Sequence, residues 1–509
     1  MQKALFLIAL IWLAGHSVFA QKEDNVWLLG GNYDSPDTAY MACKIEFAVN
    51  LPTITFVNKE LPYTATNASI CDSAGNFWCF TNGKHLYNRD YEIMDGGVNF
   101  YPVADFEGGV PYLQGYMLLP LPGSNHKVVY IYGNPKVVFP PQGAYVSYIK
   151  LRYAIADMSQ NGGLGKVTQR DIVAGTDTLS FLQMTAVRHG NGRDWWVFVP
   201  HYLDQTYYRY LLSPDGLEYI GEQSITTTFL GLGTACFSPD GQHYARFNWH
   251  GITPDSSFAT FDLYRFDRCS GLLSDRVSKT YDFSGIAGKP GGVAFSPSSR
   301  YLYVTRWDSI FQYDIQAPNI VASESVVAVY DGFAGDLGLP TRFFYPLLAP
   351  DNKIYICVSN YNSPYLHTIE KPDEPGLACE VKQHSVRLPV FNNFLLPNMP
   401  FYRLWDWEGS LCDTLGSVAV KEVQGNETGF SVYPNPTSDA VTIELMQAAN
   451  AGCHIELLSM TGQLISSLNM PEGTLTATLP LDNYPNGYYF LRVINAGQRI
   501  SGQKVTIIR

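Results

Sequence analysis

A β-hairpin that returns about every fifty residues constrains this chain more than any other feature. Its clearest copy is TACFSPDGQHYARFNW, Thr234 to Trp249, an apolar strand, a Ser-Pro-Asp-Gly turn and a second strand with alternating apolar positions. Pro239 presets φ for the turn, and Gly241 tolerates the positive φ that such a turn asks for. GGVAFSPSSRYLYVTRW from Gly291 and YPLLAPDNKIYICVSN from Tyr345 repeat the unit, with turn prolines at 239, 297 and 350 and hence periods of 58 and 53 residues. Looser copies begin at Ala68, Gly115 and Gln183, which makes six hairpins. An all-β unit recurring at this spacing predicts a β-propeller.

The ends of the repeat region predict how the ring closes. Residues 25–58 hold three strand-like runs, NVWLLGG, AYMACKIEF and PTITFVN, that lack a leading inner strand, while FYRLWDW at 401–407 is a strand-like run without successors. Together they make one composite blade that ties the N- and C-terminal strands and leaves no open sheet edge. With the six hairpins the expectation is about seven blades over residues 21–415, six or eight being the alternatives. A linker of small and polar residues follows at 416–428. Residues 429–509 then read as about seven alternating strands, the size of a small immunoglobulin-like β-sandwich.

The 46% apolar and 14% aromatic composition, with 44 Gly and 31 Pro, suits short strands closed by turns and leaves ample core for both domains. A formal net charge of −12 without a basic run disfavours nucleic-acid binding and attraction to an anionic membrane surface. At the N-terminus, Lys3 precedes an apolar run from Ala4 to Gly15, and Val18 and Ala20 occupy the −3 and −1 positions of a cleavage site. Residues 1–20 therefore read as a signal peptide, with Gln21 the first mature residue. No later stretch approaches the ~18 consecutive apolar residues of a spanning helix, so an integral membrane protein is not expected.

Four C-terminal segments, VYPNPTSDAVTIEL at 432–445, LLSMTGQLI at 457–465, YPNGYYFLRV at 484–493 and KVTIIR at 504–509, resemble the type A C-terminal sorting domain of the Bacteroidetes type IX secretion system. The resemblance implies Sec passage, recognition of this domain by the type IX machinery at the outer membrane, and removal of the domain with surface attachment or release of the remainder. Upstream, NVWLLGGN, ICDSAGNFWCFTNGKHLYNRDYEIM, ADMSQNGGLGKVTQRDI, TAVRHGNGRDWWVFVPH and LPNMPFYRLWDWEGSLCDTLG resemble uncharacterised exported β-propellers that precede such domains. The segment LLGGNYDSPDTAYM departs from their glycine-rich pattern, an aromatic-Gly pair followed by Gly-Leu-Asp-Phe.

Nine cysteines show no CxxC or Cys/His cluster with metal spacing, and neither metal nor cofactor is expected. Centring the Ala68 hairpin on residues 73–76 sets Ile70 opposite Cys79, so the thiols of Cys71 and Cys79 point to opposite faces. Cys379 and Cys412 lie in loops beside the closing blade, in an oxidising compartment, and form the candidate disulfide. The sequence holds no GxSxG elbow, HExxH, phosphate loop or EF-hand loop, so the reading leans against an enzyme. His189 in its HGNGRD turn, and Asp34, Asp37 and Asp240, are explained by turn chemistry.

One constellation comes from topology. In a propeller, the loop after each blade's second strand opens on the face where the connections enter the next innermost strand. Those ends bring His201, Tyr202, Trp249, His250, Trp307, Asp308, Asn360 and Tyr361 to one mouth, with Asn82 and Asn134 from earlier blades. Aromatic rings stack on sugar faces or peptide side chains while Asn, His and Asp fix orientation, which marks this as the ligand surface of a binding or scaffolding module for a glycan or protein. The alternative is an extracellular hydrolase or lyase at the same mouth. Finally, Thr38, Ser73, Thr178, Ser309 and Thr414 follow Asp in tripeptides that resemble the Asp-Ser/Thr-apolar O-glycosylation acceptor of Bacteroidetes.

Overall fold

The computed structural model describes residues 21–31, 37–47, 51–61, 66–100, 113–138, 145–176, 179–180, 183–201, 205–225, 233–250, 258–282, 291–360, 362–393, 396–413, 430–445, 447–458, 464–495 and 498–508. The signal peptide and the 416–428 linker expected from the sequence lie outside them. The chain divides into two compact units, 1–416 and 417–509.

Among the described residues the first unit, a β-propeller, holds seven antiparallel sheets, each a meander. Two have three strands and five have four. In blades two to seven the innermost strands are Ala68–Cys71, Met117–Pro120, Thr185–Arg188, Ala235–Phe237, Gly291–Phe295 and Phe343–Leu348. The sixth blade continues through Tyr301–Arg306, Ser309–Asp314 and Ser325–Val329, the seventh through Ile354–Val358, Ser363–Ile369 and Val381–Asn392. The inner and second strands are mostly buried, several along their whole length, because each is sandwiched between neighbouring blades, the burial that their near-continuous apolar runs require. The repeat's turn works in one way in three blades. Gly241, Ser299 and Asn352 occupy the same place in SPDG, SPSS and APDN, and all are left-handed, with φ of 69°, 63° and 64°. In the first copy Gly241 N–H closes on Ser238 O at 2.8 Å, and a Cβ on Gly241 would lie 2.5 Å from Leu404, so glycine meets both the conformation and the close approach.

That Leu404 contact shows how the ring closes. Residues 401–407 are the expected closing segment, but they run without forming a ladder strand, and the first sheet keeps the three strands Val26–Gly30, Ala42–Phe47 and Pro52–Val57. Closure comes instead from side chains at the centre of the ring. Asn398 N–H donates to Asn67 O at 2.8 Å, and its Nδ2 donates to Tyr116 O and Met184 O, at the entrances to the second, third and fourth inner strands. Gln114 Nε2 donates to Ala235 O at 2.9 Å and approaches Asn398 Oδ1 at 3.4 Å, so the fifth blade joins the same network. Further on, Tyr402, fully buried, donates to Leu118 O at 3.0 Å, and Trp407 N–H donates to Gly190 O at 2.7 Å. A segment that must answer carbonyls of several blades cannot also pair along one.

The segment ends in a disulfide, Cys269–Cys412, with Cα atoms 5.3 Å apart. This corrects the expected Cys379–Cys412 pair. Cys379 is a buried free thiol at the end of a short 3-10 turn, Gly376–Cys379, in the seventh blade. The central segment carries Cys412 across to the fourth and fifth blades, where Gly190 fits beneath the bridge because a Cβ there would meet Cys412 Sγ at 2.3 Å. Cys71 and Cys79 are both buried and free, and Ile70 faces Cys79, with a bulge that sets Cys71 opposite Phe77 rather than residue 78.

The second unit holds a three-stranded sheet, with Phe430–Tyr433, Ala440–Leu445 and Thr476–Pro480, and a four-stranded sheet, with His454–Leu458, Leu464–Asn469, Gly487–Asn495 and Gln498–Ile507. Its own core includes Phe430, Val441, Ile443, Ile455, Leu457, Leu491 and Val505, the inward alternate positions of those strands.

Candidate functional site at the mouth of blades six and seven

The centre of the ring leaves little room for a ligand. Residues 399–401 and the inner strands of the fourth to seventh blades enclose a cavity of about 50 Å³, enough for water between Gln114, Thr185 and Asp24. None of the sequence-predicted mouth residues lines that cavity; those described lie at the rim.

There the structure separates the sequence-predicted residues into groups. His201 lies half-buried, 5.8 Å ring to ring from Tyr208, with its N–H on Thr206 O. Trp249 is half-buried against the core shared by the fifth and sixth blades, which includes Phe247, Phe261 and Val293. Asn82 is spent on its own turn, accepting from the N–H groups of Lys84 and His85. Tyr202 and Tyr361 lie outside the described residues, as do the side chains of His250 and Asn134. Trp307, Asp308 and Asn360 remain, and one loop joins all three.

That loop, residues 330–342, runs from the last strand of the sixth blade to the first of the seventh. Tyr330 N–H donates to Asp308 O at 2.8 Å, Phe343 N–H donates to Trp307 O at 2.9 Å, and Asn360 Nδ2 donates to Pro340 O at 2.8 Å. Trp307 has φ of 47°, a conformation bulky residues adopt only when their surroundings fix it. Arg342 is the last residue of the loop, and its side chain returns over Tyr330, the first. Its guanidinium sits 4.6 Å from the Tyr330 ring centroid and 5.7 Å from that of Trp307. Among the described residues it makes no ion pair and no hydrogen bond. The rings hold it half-buried with its five donors unspent.

Beside it, a second group is fully paired. Phe333 stacks on His384 at 4.1 Å, and Tyr365 meets Phe333 edge-on at 5.3 Å. His384 Nε2 lies 3.0 Å from Asp331 Oδ2. Arg387 and the Tyr365 hydroxyl both donate to Asp336, at 2.7 and 2.8 Å, and hold its carboxyl below the usual range. Behind them burial pushes His367 down to about 3, so its ring stays neutral and accepts the His384 N–H at 2.9 Å. Among the described residues no group of three or more His, Cys, Asp or Glu is placed to hold a metal.

Sequence reasoning missed Tyr330, Phe333, Arg342, Tyr365, His384 and Arg387. The signal was available in part, because the rule that selects second-strand ends also selects the connections entering the inner strands, and Arg342 immediately precedes one. Of the candidate acceptors, Thr38 and Ser73 are exposed, Ser309 is half-buried at the start of a strand, and Thr178 and Thr414 lie outside the described residues.

The second unit carries the decisive likeness. Residues 431–508 match the secretion system C-terminal sorting domain. The sorting domain marks the chain as a protein exported by the type IX pathway, secreted and carried at the cell surface, and it engages the secretion machinery. No described helix is long and apolar enough to cross a membrane. No curated protein matches the chain. Among solved structures, a putative 6-phosphogluconolactonase from Bacteroides uniformis is similar at 13% identity, over 73% of this chain and 99% of that one, with a TM-score of 0.43. Its counterpart from Bacteroides fragilis shares 12%, over 73% and 97%, with a TM-score of 0.39. A puromycin-hydrolysing peptidase from Mycobacterium tuberculosis shares 11%, over 74% of this chain and 50% of that one, with a TM-score of 0.34. At such identities no activity passes from those names to this chain.

Proposed function

We propose that the protein is a binding module of the cell surface, delivered by its sorting domain, whose ligand surface is the mouth of the sixth and seventh blades. The observation that carries this is Arg342, held between Trp307 and Tyr330 with no acceptor among the described residues. Propeller rims that bind ligands need side chains held in place before the ligand arrives, since ordering them on binding costs affinity. Trp307→Ala and Arg342→Gln in the full secreted chain, tested on a glycan and peptide array, should remove the signals that the wild type gives. An array pattern unchanged by both would end the proposal.

Delivery has its own test. Deleting residues 427–509 should leave a folded propeller trapped in the periplasm, and finding it outside the cell in normal amount would show that another signal exports it. We further propose that Thr38 and Ser73, both exposed in turns, carry O-linked glycan. An intact mass of the native secreted protein equal to that of the bare polypeptide would refute it.

A hydrolase or lyase is favoured by one observation, the His384–Asp331 pair at 3.0 Å, which has the chemistry of a base and its orienting carboxylate. Turnover of an array-positive ligand by wild type, lost in His384→Gln with binding retained, would establish that reading.

A further inference from the structure

Resting on the mouth of blades six and seven as the binding surface, we infer that Arg342 is an anion fork and that the ligand is an acidic saccharide, an oligosaccharide bearing carboxylate or sulfate. Four features lead there.

The first is the state of the arginine. The chain has a net charge of −12, and the exposed cation beside this site, Arg387, is already answered by Asp336 at 2.7 Å. Arg342, half-buried, has no such partner among the described residues. A guanidinium that is partly desolvated, stacked on two rings and left without an acceptor is placed for a planar oxyanion from outside, which it can take with two parallel hydrogen bonds.

The second is rigidity. Tyr330 is fixed at both ends, by its N–H on Asp308 O and its hydroxyl on Phe333 O at 2.6 Å, and Trp307 by the backbone bond to Phe343. The fork is therefore set before a ligand arrives.

The third concerns the loop backbone. The N–H groups of Tyr330, Phe333, Gly335, Gly338, Thr341 and Phe343 are all spent inside the protein, on Asp308, Asp331, Leu339, Gly335, Phe333 and Trp307. An extended acidic peptide would gain no strand to pair with here, which removes the main-chain affinity that peptide recognition by strand addition relies on.

The fourth is what borders the fork. Trp307 and Tyr330, both partly exposed, are rings of the kind that pack on the apolar face of a sugar, and Asp308 and Asn360 are the neighbouring polar side chains. Ring faces with one cation and polar neighbours suit a saccharide carrying a negative group.

The test uses the full secreted chain and three probes built from galacto-configured sugars, oligogalacturonate for carboxylate, sulfated galactan fragments for sulfate, and the same galactan fragments desulfated as the neutral arm, with poly-glutamate as the peptide control. At least one acidic saccharide should bind at least tenfold more tightly than the neutral fragments, with affinity falling as salt rises. Arg342→Gln should lose at least tenfold. Arg342→Lys, which keeps the charge and guards against misfolding, should also lose most of the binding because it cannot fork or stack. Equal binding of neutral and acidic fragments, unchanged in Arg342→Gln but lost in Trp307→Ala, overturns the anion fork and leaves the mouth reading standing. Binding untouched by either substitution overturns both. Capture of poly-glutamate alone, or of no saccharide, overturns the saccharide class.

Discussion

Arg403 donates to both carboxylate oxygens of Asp24, from Nη2 at 2.9 Å and Nη1 at 3.3 Å, across 379 residues of chain. The pair ties the first described residues of the propeller to its central segment, and it does so where no ladder ties them. Asp24 is almost fully buried and burial raises its pKa, Arg403 pulling the other way, so removing the cation strands a costly charge. Arg403→Met should destabilise the propeller by about 2–4 kcal/mol, below the range for a fully buried pair because the Arg403 side chain is 28% exposed. Denaturant melts of Arg403→Met and of the double variant with Asp24→Asn should show the second change restoring part of the loss.

One residue earlier, Glu23 predicts a pH dependence of the opposite sign from that of most carboxylates. Burial pushes its pKa from 4.5 up to about 7, against a backbone hydrogen bond and Arg188, with Asp24 adding to the rise and Arg403 opposing it. A folded-state pKa above the unfolded one means that the native state binds the proton more tightly. The Glu23 contribution is therefore most favourable below pH 4.5, is lost as pH climbs to about 7 and is flat beyond, a swing of about 3 kcal/mol. Glu23→Gln should flatten that part of the stability curve and be the more stable protein at pH 8. A wild-type curve that rises between pH 5 and 7 by the same amount as the variant's would refute it.

The disulfide closes a loop of 143 residues, and it fastens the end of a segment that hydrogen-bonds to several blades. Cys269→Ser and Cys412→Ser should each cost about 2–5 kcal/mol and should not add in the double variant. Cys379→Ser should leave the bridge intact, and peptide mapping without reductant should recover Cys269 linked to Cys412.

The propeller was legible because its evidence is local. Turn residues at 239–241, 297–299 and 350–352 specify hairpins, and a hairpin repeated at a fixed period specifies the class. The sandwich strands after residue 429 were legible for the same reason. The closure was not, because Asn398, Tyr402 and Arg403 act through side chains on carbonyls and a carboxylate far along the chain, and nothing in FYRLWDW distinguishes a strand from an extended strut. The disulfide failed with it. Cys379 and Cys412 are near in any scheme where residue 401 begins a strand of the closing blade, whereas the observed path carries Cys412 to Cys269. Of the residues that meet around the loop 330–342, topology had singled out Trp307, Asp308 and Asn360 as candidates, but not Arg342. What sets Arg342 apart is that no described residue answers it, and no sequence pattern marks such an arginine.

Trp249 and Trp307 hold equivalent places at the ends of second strands, yet the structure assigns them different work. Trp249 packs against an apolar core containing Phe247, Phe261 and Val293, so its replacement by Ala leaves a cavity that those rings and branched chains cannot fill. Its loss should cost about 2–3 kcal/mol, somewhat less than a fully buried tryptophan. Trp307 stands on a left-handed backbone against Arg342 and, among the described residues, packs on none of the apolar core clusters, so its loss opens no comparable apolar cavity and should cost less, about 1–2 kcal/mol. Thermal melts of Trp249→Ala and Trp307→Ala need no ligand and separate the two directly. Equal and large destabilisation by both would mean that Trp307 is core as well, and that the platform around Arg342 is part of the packing rather than a surface awaiting a ligand.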